Sequence, residues 1–112
     1  MALKLRKNKA VPPVCPLTEC MGFLGGAWTT NVIWSLSAQA RRFGELRVDI
    51  PRVTAKVLST RLHELEAMGV VSRAVMPTSP PSVEYALTPL GRELVPAIDA
   101  IVKVGQKLKR KG

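Results

Sequence analysis

The segment from Thr54 to Met68 constrains the fold of this chain more than any other. Its leucines, Leu58, Leu62 and Leu65, follow one another at spacings of four and three, which places them on one face of an α-helix. Thr54 is suited to cap the N-terminus, and Gly69 to end the helix in the left-handed conformation. The opposite face lacks carboxylates and carries Lys56, Ser59, Thr60 and His63. The pattern indicates a helix that packs on a core with one face and contacts DNA with the other. The alternative is an ordinary surface helix.

The composition favours a folded, strongly basic domain with a polyanionic partner. The chain has 112 residues, of which 46% are hydrophobic, enough for one modest core. Its 17 Lys and Arg against 8 Asp and Glu give a net charge of +9. Nucleic acid is the favoured partner, ahead of an anionic membrane surface. We divide the chain into a flexible basic arm (residues 1–13), a domain (14–106) and a basic tail (107–112).

Several classes of protein are disfavoured by what the sequence lacks. Two cysteines, Cys15 and Cys20, do not make a secreted disulfide scaffold. No apolar stretch approaches the ~20 residues of a membrane span, and no signal peptide is evident, so a cytoplasmic location is expected. One His, no paired carboxylates and no phosphate-binding glycine loop argue against an enzyme. We expect no cofactor and no metal site.

The segments before Thr54 predict three helices. Pro16 to Leu24 forms a short helix opened by proline, and Trp28 to Ala38 a second, with Trp28 as a core anchor. Trp34 lies off the apolar stripe of that helix and is expected to face another element or another chain. A third helix starts at Arg41 and is stopped by Pro51. Two short helices joined by a tight turn, the second being the Thr54 helix, form a helix-turn-helix pattern.

The segments after Gly69 predict a β-hairpin and a long helix. Strands at Val70–Met76 and Ser82–Leu87 flank a proline-rich tip, which makes a wing. Thr88 caps a further helix, in which Pro96 is expected to produce a kink. The apolar stripe of this helix is long for so small a domain, so it is expected to meet a second subunit, with packing on its own domain as the alternative; its members are Leu90, Leu94, Ile98, Ile101 and Val102.

The ordered set of these pieces resembles the HxlR family of bacterial and archaeal transcriptional regulators, a branch of the winged-helix proteins. The matching runs are Cys15-Pro16, Leu24 to Trp28, Arg42 to Leu46, Leu58 to Glu66, Gly69 to Arg73, Pro81 to Tyr85 and Leu87 to Arg92. A departure is Ala27, where the family usually has a lysine, and Thr29-Thr30-Asn31 is less basic than usual. The resemblance implies a mainly α fold with a small β-hairpin (α+β), a winged helix-turn-helix that dimerises through its N- and C-terminal helices. It also implies a recognition helix in the major groove, a wing against the backbone or minor groove, and action near promoters.

The candidate DNA contacts fall into three groups. Base-edge contacts are assigned to the exposed face of the Thr54 helix, at Thr54, Lys56, Ser59 and Thr60. Phosphate contacts are assigned around it, at Arg41, Arg42, Arg52 and His63. Wing contacts are assigned to Arg73, Thr78 and Ser79. Each has an ordinary alternative: Thr54 as a helix cap, Arg73 paired with Glu84 across the hairpin, the tip as merely mobile, and the others as solvated surface residues.

Two further assignments concern assembly and regulation. The dimer interface is assigned to Leu17, Met21, Leu24, Leu94, Ile98, Ile101 and Val102. Cys15 stands at a helix N-terminus, which lowers a thiol pKa, and members of the resembling family sense oxidants or electrophiles through a cysteine here. Cys15 is therefore a candidate redox sensor, with a buried structural role as the alternative. Cys20 is about 140° further round the helix, badly placed to bridge Cys15.

The function expected from the sequence is that of a sequence-specific, DNA-binding transcriptional regulator. It would act as a homodimer on a pseudo-palindromic operator in duplex DNA, with no membrane partner, and respond to redox state or electrophiles. The alternative is a winged-helix module that binds protein or RNA without duplex sequence specificity. The sequence identifies neither the operator nor a small-molecule effector.

Overall fold

Six helices and a three-stranded sheet make up the part of the chain that the computed structural model describes, residues 15–111. The expected arm, residues 1–13, lies outside it. The helices are α1 (Pro16–Leu24), α2 (Thr29–Leu36), α3 (Phe43–Asp49), α4 (Ala55–Ala67), α5 (Pro89–Glu93) and α6 (Val95–Lys111). The strands are β1 (Arg41–Arg42), β2 (Val71–Met76) and β3 (Ser82–Leu87), in the sheet order β1-β3-β2. Within residues 15–111 no helix is both long and apolar enough to cross a membrane.

The core forms where α2, α3, α4 and the sheet meet. Leu58, Leu62 and Leu65 of α4 are buried, as their spacing predicted. They pack in one cluster with the apolar side chains of α2 and α3, among them Ile33 and Leu46. The three leucines bury one side of α4 in the core. The opposite side is therefore the one that faces solvent.

The ends of α4 are defined by local chemistry that the sequence predicted. The backbone N–H of Val57 donates to the Thr54 hydroxyl at 3.1 Å, which satisfies one donor of the first turn. At the other end Gly69 has φ 78°, a conformation that side chains rarely adopt. Both the cap and the terminating glycine are confirmed.

The hairpin wing is confirmed, with a third strand that the sequence did not reveal. β2 and β3 pair antiparallel from Val71↔Leu87 to Met76↔Ser82. β1 adds to the other edge of β3, with Arg41 opposite Tyr85 and Arg42 opposite Glu84. The prediction that α3 starts at Arg41 is therefore wrong. Both arginines are extended, and α3 begins at Phe43 because the Glu45 carboxylate accepts from the Arg42 backbone N–H at 2.8 Å.

The C-terminal segment is two helices rather than one kinked helix. The break lies at Leu94, between α5 and α6, and Pro96 occupies the first turn of α6. A backbone N–H in the first turn has no partner within its own helix, so proline costs little there. The residues expected to form a basic tail, 107–111, continue α6.

The apolar stripe of this segment is divided between the core and solvent. Ile98 is only 7% exposed and lies in the core of its own chain, with Leu94 and Val95 packed against it. Beyond it Ile101 is 68% exposed, and Val104 and Leu108 are also exposed. The exposed apolar surface of α6 therefore begins after Ile98.

Candidate nucleic-acid interface

The outward face of α4 carries the side chains expected to contact DNA. Lys56, Ser59, Thr60 and His63 are all exposed. Lys56 takes part in no ion pair within residues 15–111. The Thr60 hydroxyl donates to the Lys56 carbonyl oxygen at 3.0 Å, which leaves its lone pairs available as acceptors. This face therefore offers an unneutralised cation beside short hydroxyls, on a helix whose opposite side is fixed by the core.

Thr54 serves the helix as its cap. Its hydroxyl oxygen accepts from Val57, as described above, and its side chain is at the surface at the start of α4. The remaining hydroxyl proton points to no recorded acceptor within the described residues. The capping alternative is thus realised, and the hydroxyl proton and one lone pair are left over from the cap.

The three arginines assigned to phosphate are placed differently. Arg42 and Arg52 are exposed, and neither pairs with a carboxylate in the described part of the chain. Arg41 instead forms a bidentate pair with Asp49, with its Nε and Nη2 both 2.9 Å from the carboxylate oxygens. Bidentate guanidinium–carboxylate pairs fix geometry as well as charge. Arg41 therefore holds α3 to the start of the sheet, and Arg42 and Arg52 are the cations left for phosphate.

Asp49 joins three elements and has a perturbed pKa. Hydrogen bonds from Arg41, and then from the Ser35 hydroxyl at 2.5 Å, hold the pKa of its carboxyl below the ordinary value. Ser35 lies on α2 and Arg41 on β1, so the carboxylate ties both to the end of α3. The arrangement therefore holds α2, β1 and the end of α3 together.

The Asp49 network predicts a pH-dependent stability. A carboxyl whose pKa is lower in the folded state stabilises the fold above its unfolded pKa, and this stabilisation is lost as pH falls through the folded value. Asp49→Asn is therefore expected to lower the melting temperature at pH 7 by about 2–4 °C, since the network is partly exposed. The difference from wild type should shrink below about pH 4. Melting curves from pH 3 to pH 8, with Asp99→Asn as the control, measure this; a difference independent of pH would contradict it.

A cleft of about 380 Å³ separates α4 from the wing. Its lining includes His63 and Glu66 of α4 and Arg73 and Tyr85 of the hairpin. Arg73 stands opposite Tyr85 in the strand register, while Glu84 stands opposite Ala74. No ion pair between Arg73 and Glu84 occurs among residues 15–111, so the pairing alternative is not realised there. The structure brings Arg73 and His63 to the same cleft, which Ser59 of α4 also lines.

Of the two candidate DNA contacts at the wing tip, Thr78 forms hydrogen bonds within the loop itself. The Thr78 hydroxyl donates to the Pro80 carbonyl oxygen at 2.8 Å and lies 3.3 Å from the Ser82 hydroxyl. Ser79 is exposed and takes part in no recorded side-chain bond of the described residues. Thr78 therefore shapes the loop, and Ser79 remains as a surface hydroxyl.

Arg61 is a positioning residue that sequence reasoning missed. Its Nε donates to the Ala27 carbonyl oxygen at 2.8 Å, and its Nη1 pairs with Glu64 at 3.0 Å. A Cβ at Gly26 would lie 3.0 Å from the same Nε, so any side chain there would push the guanidinium by a few tenths of an ångström. The sequence signal was available: Arg61 stands between Leu58 and Leu62, at the edge of the buried face. It anchors α4 to the loop that precedes α2.

Cys15 stands at the N-cap of α1 and is exposed, as is Cys20. The backbone N–H groups of Thr18 and then Leu17, at the start of α1, lower the pKa of the Cys15 thiol. The alternative of a buried structural cysteine is not realised at Cys15. A larger thiolate fraction at an exposed position is the property of a reactive cysteine.

Comparison with known proteins supplies the identity of the family. The family model described as HxlR-like helix-turn-helix matches residues 23–111. The chain belongs to this family. An HTH-type transcriptional regulator of Methanothermobacter thermautotrophicus is 36% identical to this HxlR-like chain over 93 residues, covering 83% of the chain and 71% of the relative.

Solved structures agree with this assignment. The HTH-type transcriptional regulator ytcD superposes with a TM-score of 0.81 at 32% identity, covering 86% of this chain and 98% of that one. The redox regulator HypR in its oxidized form gives 0.79 at 35% identity, covering 83% and 96%. The predicted family and the winged helix-turn-helix fold are confirmed. This HxlR-like chain is a transcriptional regulator of the helix-turn-helix type.

Proposed function

We propose that the chain acts as a homodimer that binds a pseudo-palindromic operator in duplex DNA, with α4 entering the major groove. The observation that carries the proposal is the outward face of α4, where Lys56 and short hydroxyls stand exposed on a helix locked by three buried leucines. A helix fits the major groove, where base edges present distinct donors and acceptors. Arg42 and Arg52 flank this face as phosphate contacts, and Arg73 and Ser79 extend it along the wing.

The exposed apolar residues near the two ends of the described chain support the homodimer. Leu17 is 65% exposed and Met21 is 47% exposed on α1, and Ile101, Val104 and Leu108 form an exposed row on α6. Exposed apolar side chains that recur on two helices are typical of a subunit interface. An isologous two-fold pairing presents the same α4 face twice, which matches an operator with two-fold symmetry.

Removing the cations of this surface tests the proposal. Lys56→Ala and Arg42→Ala are each expected to weaken operator binding about tenfold, because each removes a contact from both subunits. Neither side chain supports the fold, so melting temperatures should stay within about 2 °C of wild type. Gel shifts with the upstream region of the chain's own gene measure the affinity.

The controls for this experiment are charge-matched and lie on other elements. Lys109→Ala on α6 and Arg92→Ala on α5 remove the same charges and should leave affinity within about twofold of wild type. Unchanged binding by both test variants would remove the site assignment. Equal affinity for the upstream duplex and for a shuffled duplex would instead favour a winged-helix module that binds protein or RNA.

We further propose that Cys15 makes DNA binding responsive to oxidants or electrophiles. Its exposure and lowered thiol pKa support this, as does the likeness to a regulator described as redox-active. In the oxidised state two Cys15 thiols, one from each subunit, form a disulfide; they give up two electrons and two protons to the oxidant. With an electrophile, the thiolate forms an adduct instead.

Diamide distinguishes these states. Diamide takes up the two electrons and two protons and becomes the hydrazine. The wild-type protein is then expected to form a covalent dimer. The operator affinity of this dimer should differ at least fivefold from that of the reduced protein. Cys15→Ser should stay monomeric on non-reducing gels and keep one affinity, while Cys20→Ser should behave as wild type. The same diamide response in Cys15→Ser as in wild type would end the sensor proposal.

A further inference from the structure

Both tryptophans of the chain line one cavity. It has a volume of about 370 Å³ and lies between α2 and the turn that leads into α4. Trp28 and Trp34 contribute indole side chains, and Asn31 and Arg52 contribute polar ones. Apolar walls with a few polar groups are the usual composition of small-molecule sites, and this volume is within their range. The cavity is separate from the outward face of α4.

The walls of this cavity are held by the fold. Trp28 packs against the core and has φ 70°, a conformation that costs a non-glycine residue energy and that the surrounding packing must maintain. Its carbonyl oxygen accepts from the Val32 N–H at 3.0 Å, which joins it to α2. Trp34 is 42% exposed on the same helix. Two indoles on one short segment therefore line the same cavity and offer apolar ring faces to a planar ligand.

The charge of the cavity favours an anion. Asp49 lies on its wall, but both oxygens of that carboxylate already accept from Arg41, and one also accepts from Ser35. Its negative charge is therefore compensated within the fold. Arg52 has no carboxylate partner among residues 15–111 and is the cation left to line the cavity. A guanidinium recognises a carboxylate through paired hydrogen bonds.

We propose that this cavity binds a free aromatic carboxylic acid, with its ring against Trp28 and Trp34 and its carboxylate on Arg52. The Asn31 amide provides a further hydrogen bond to the carboxylate or to a ring substituent. A cationic ring is disfavoured because Arg52 repels it and the charge of Asp49 is already compensated by Arg41.

Benzoate is the probe for this site, and the two indole N–H signals in a nitrogen–proton correlation spectrum are the readout. Both signals should shift on titration without DNA, with a Kd on the order of a millimolar for so small a ligand. Arg52→Gln should weaken binding about tenfold, and Trp34→Leu should weaken it at least as much. Arg47→Gln, a charge-matched change on α3 outside the lining, should leave the Kd unchanged.

Benzylamine and benzamide separate the charge argument from simple ring binding. Both should bind at least fivefold more weakly than benzoate. Equal or tighter binding of benzylamine, or unshifted indole signals with benzoate, would overturn the proposal. An unchanged Kd in Arg52→Gln would overturn the assigned role of Arg52.

A regulatory consequence rests on the proposed function. Arg52 is also one of the proposed phosphate contacts, so ligand and duplex compete for one guanidinium, and saturating benzoate should weaken operator binding about threefold or more. The ligand titration is done without DNA, so its failure removes the site alone. Binding of benzoate with no change in operator affinity would overturn the competition, and loss of operator binding in the absence of ligand would count against the proposed function instead.

Discussion

Gly91→Ala is expected to destabilise the fold by about 3 kcal/mol, the largest effect of any single-methyl change in the described chain. A Cβ at this position would lie 2.2 Å from the Val70 carbonyl oxygen and 3.2 Å from the Leu87 side chain. The first of these is backbone, which cannot rotate away as a flexible side chain can. Relief of the overlap therefore requires α5 to move away from the junction between α4 and β2.

That movement would break a compact set of hydrogen bonds. The Thr88 hydroxyl donates to the Gly69 carbonyl oxygen at 2.5 Å and accepts from the Gly91 N–H at 3.0 Å. The Thr88 N–H donates to the same Val70 carbonyl oxygen at 3.0 Å. Overpacking and the loss of one or two of these bonds account together for the expected cost.

Gly44→Ala is the matched control. No atom lies within 4 Å of a Cβ at that position in α3, and alanine is the better helix former, so stability should rise slightly or stay unchanged. Urea unfolding monitored by tryptophan fluorescence gives both values. Stability of Gly91→Ala within about 0.5 kcal/mol of wild type would show that the α5 start is not packed as described.

Features that depend on neighbours in the chain could be predicted from the sequence. The burial of Leu58, Leu62 and Leu65 follows from helical spacing, and the Thr54 cap from chemistry within one turn. The two long strands of the wing follow from alternation and a proline-rich tip. These elements were correct because nothing distant in the chain decides them.

Features that depend on residues far apart in the chain could not be predicted from the sequence. The extended backbone at Arg41 and Arg42 is selected by pairing with Tyr85 and Glu84, far along the chain, so the local pattern suggested a helix start. The sequence also could not identify the carboxylate that pairs with Arg41, since several were available. Arg61 bonds to Ala27 in a loop, which no periodicity reveals. The position of Pro96 in a first turn depends on a helix break at Leu94 that the continuous apolar stripe concealed.

The candidate site divides in the same way. The sequence identified the outward face of α4 because the leucines mark the buried face, and the opposite face must then be exposed. It could not distinguish Arg41, neutralised by Asp49, from Arg42 and Arg52, because a side chain's partner is a property of the fold. The ranking of these three cations as phosphate contacts therefore comes from the structure.

The second large effect is expected from the spacing of the operator half-sites. In the proposed homodimer the two α4 helices are fixed relative to one another, so they read half-sites at one separation, about one helical turn or a multiple of it. Five base pairs inserted at the centre of the operator rotate one half-site by about half a turn to the other side of the duplex. One subunit then loses its base contacts, and affinity should fall about a hundredfold, towards the level of non-specific DNA.

The most direct measurement is fluorescence anisotropy with three labelled duplexes that carry the operator, once footprinting has located it in the upstream region. One is the natural site, one has five base pairs inserted at its centre, and one has the same five added outside it. We expect two chains to bind each natural duplex, affinity to fall about a hundredfold only with the central insertion, and full binding to the third duplex. Equal affinity for all three duplexes, or saturation at one chain per duplex, would contradict the proposal that two α4 helices bind the operator as a pair.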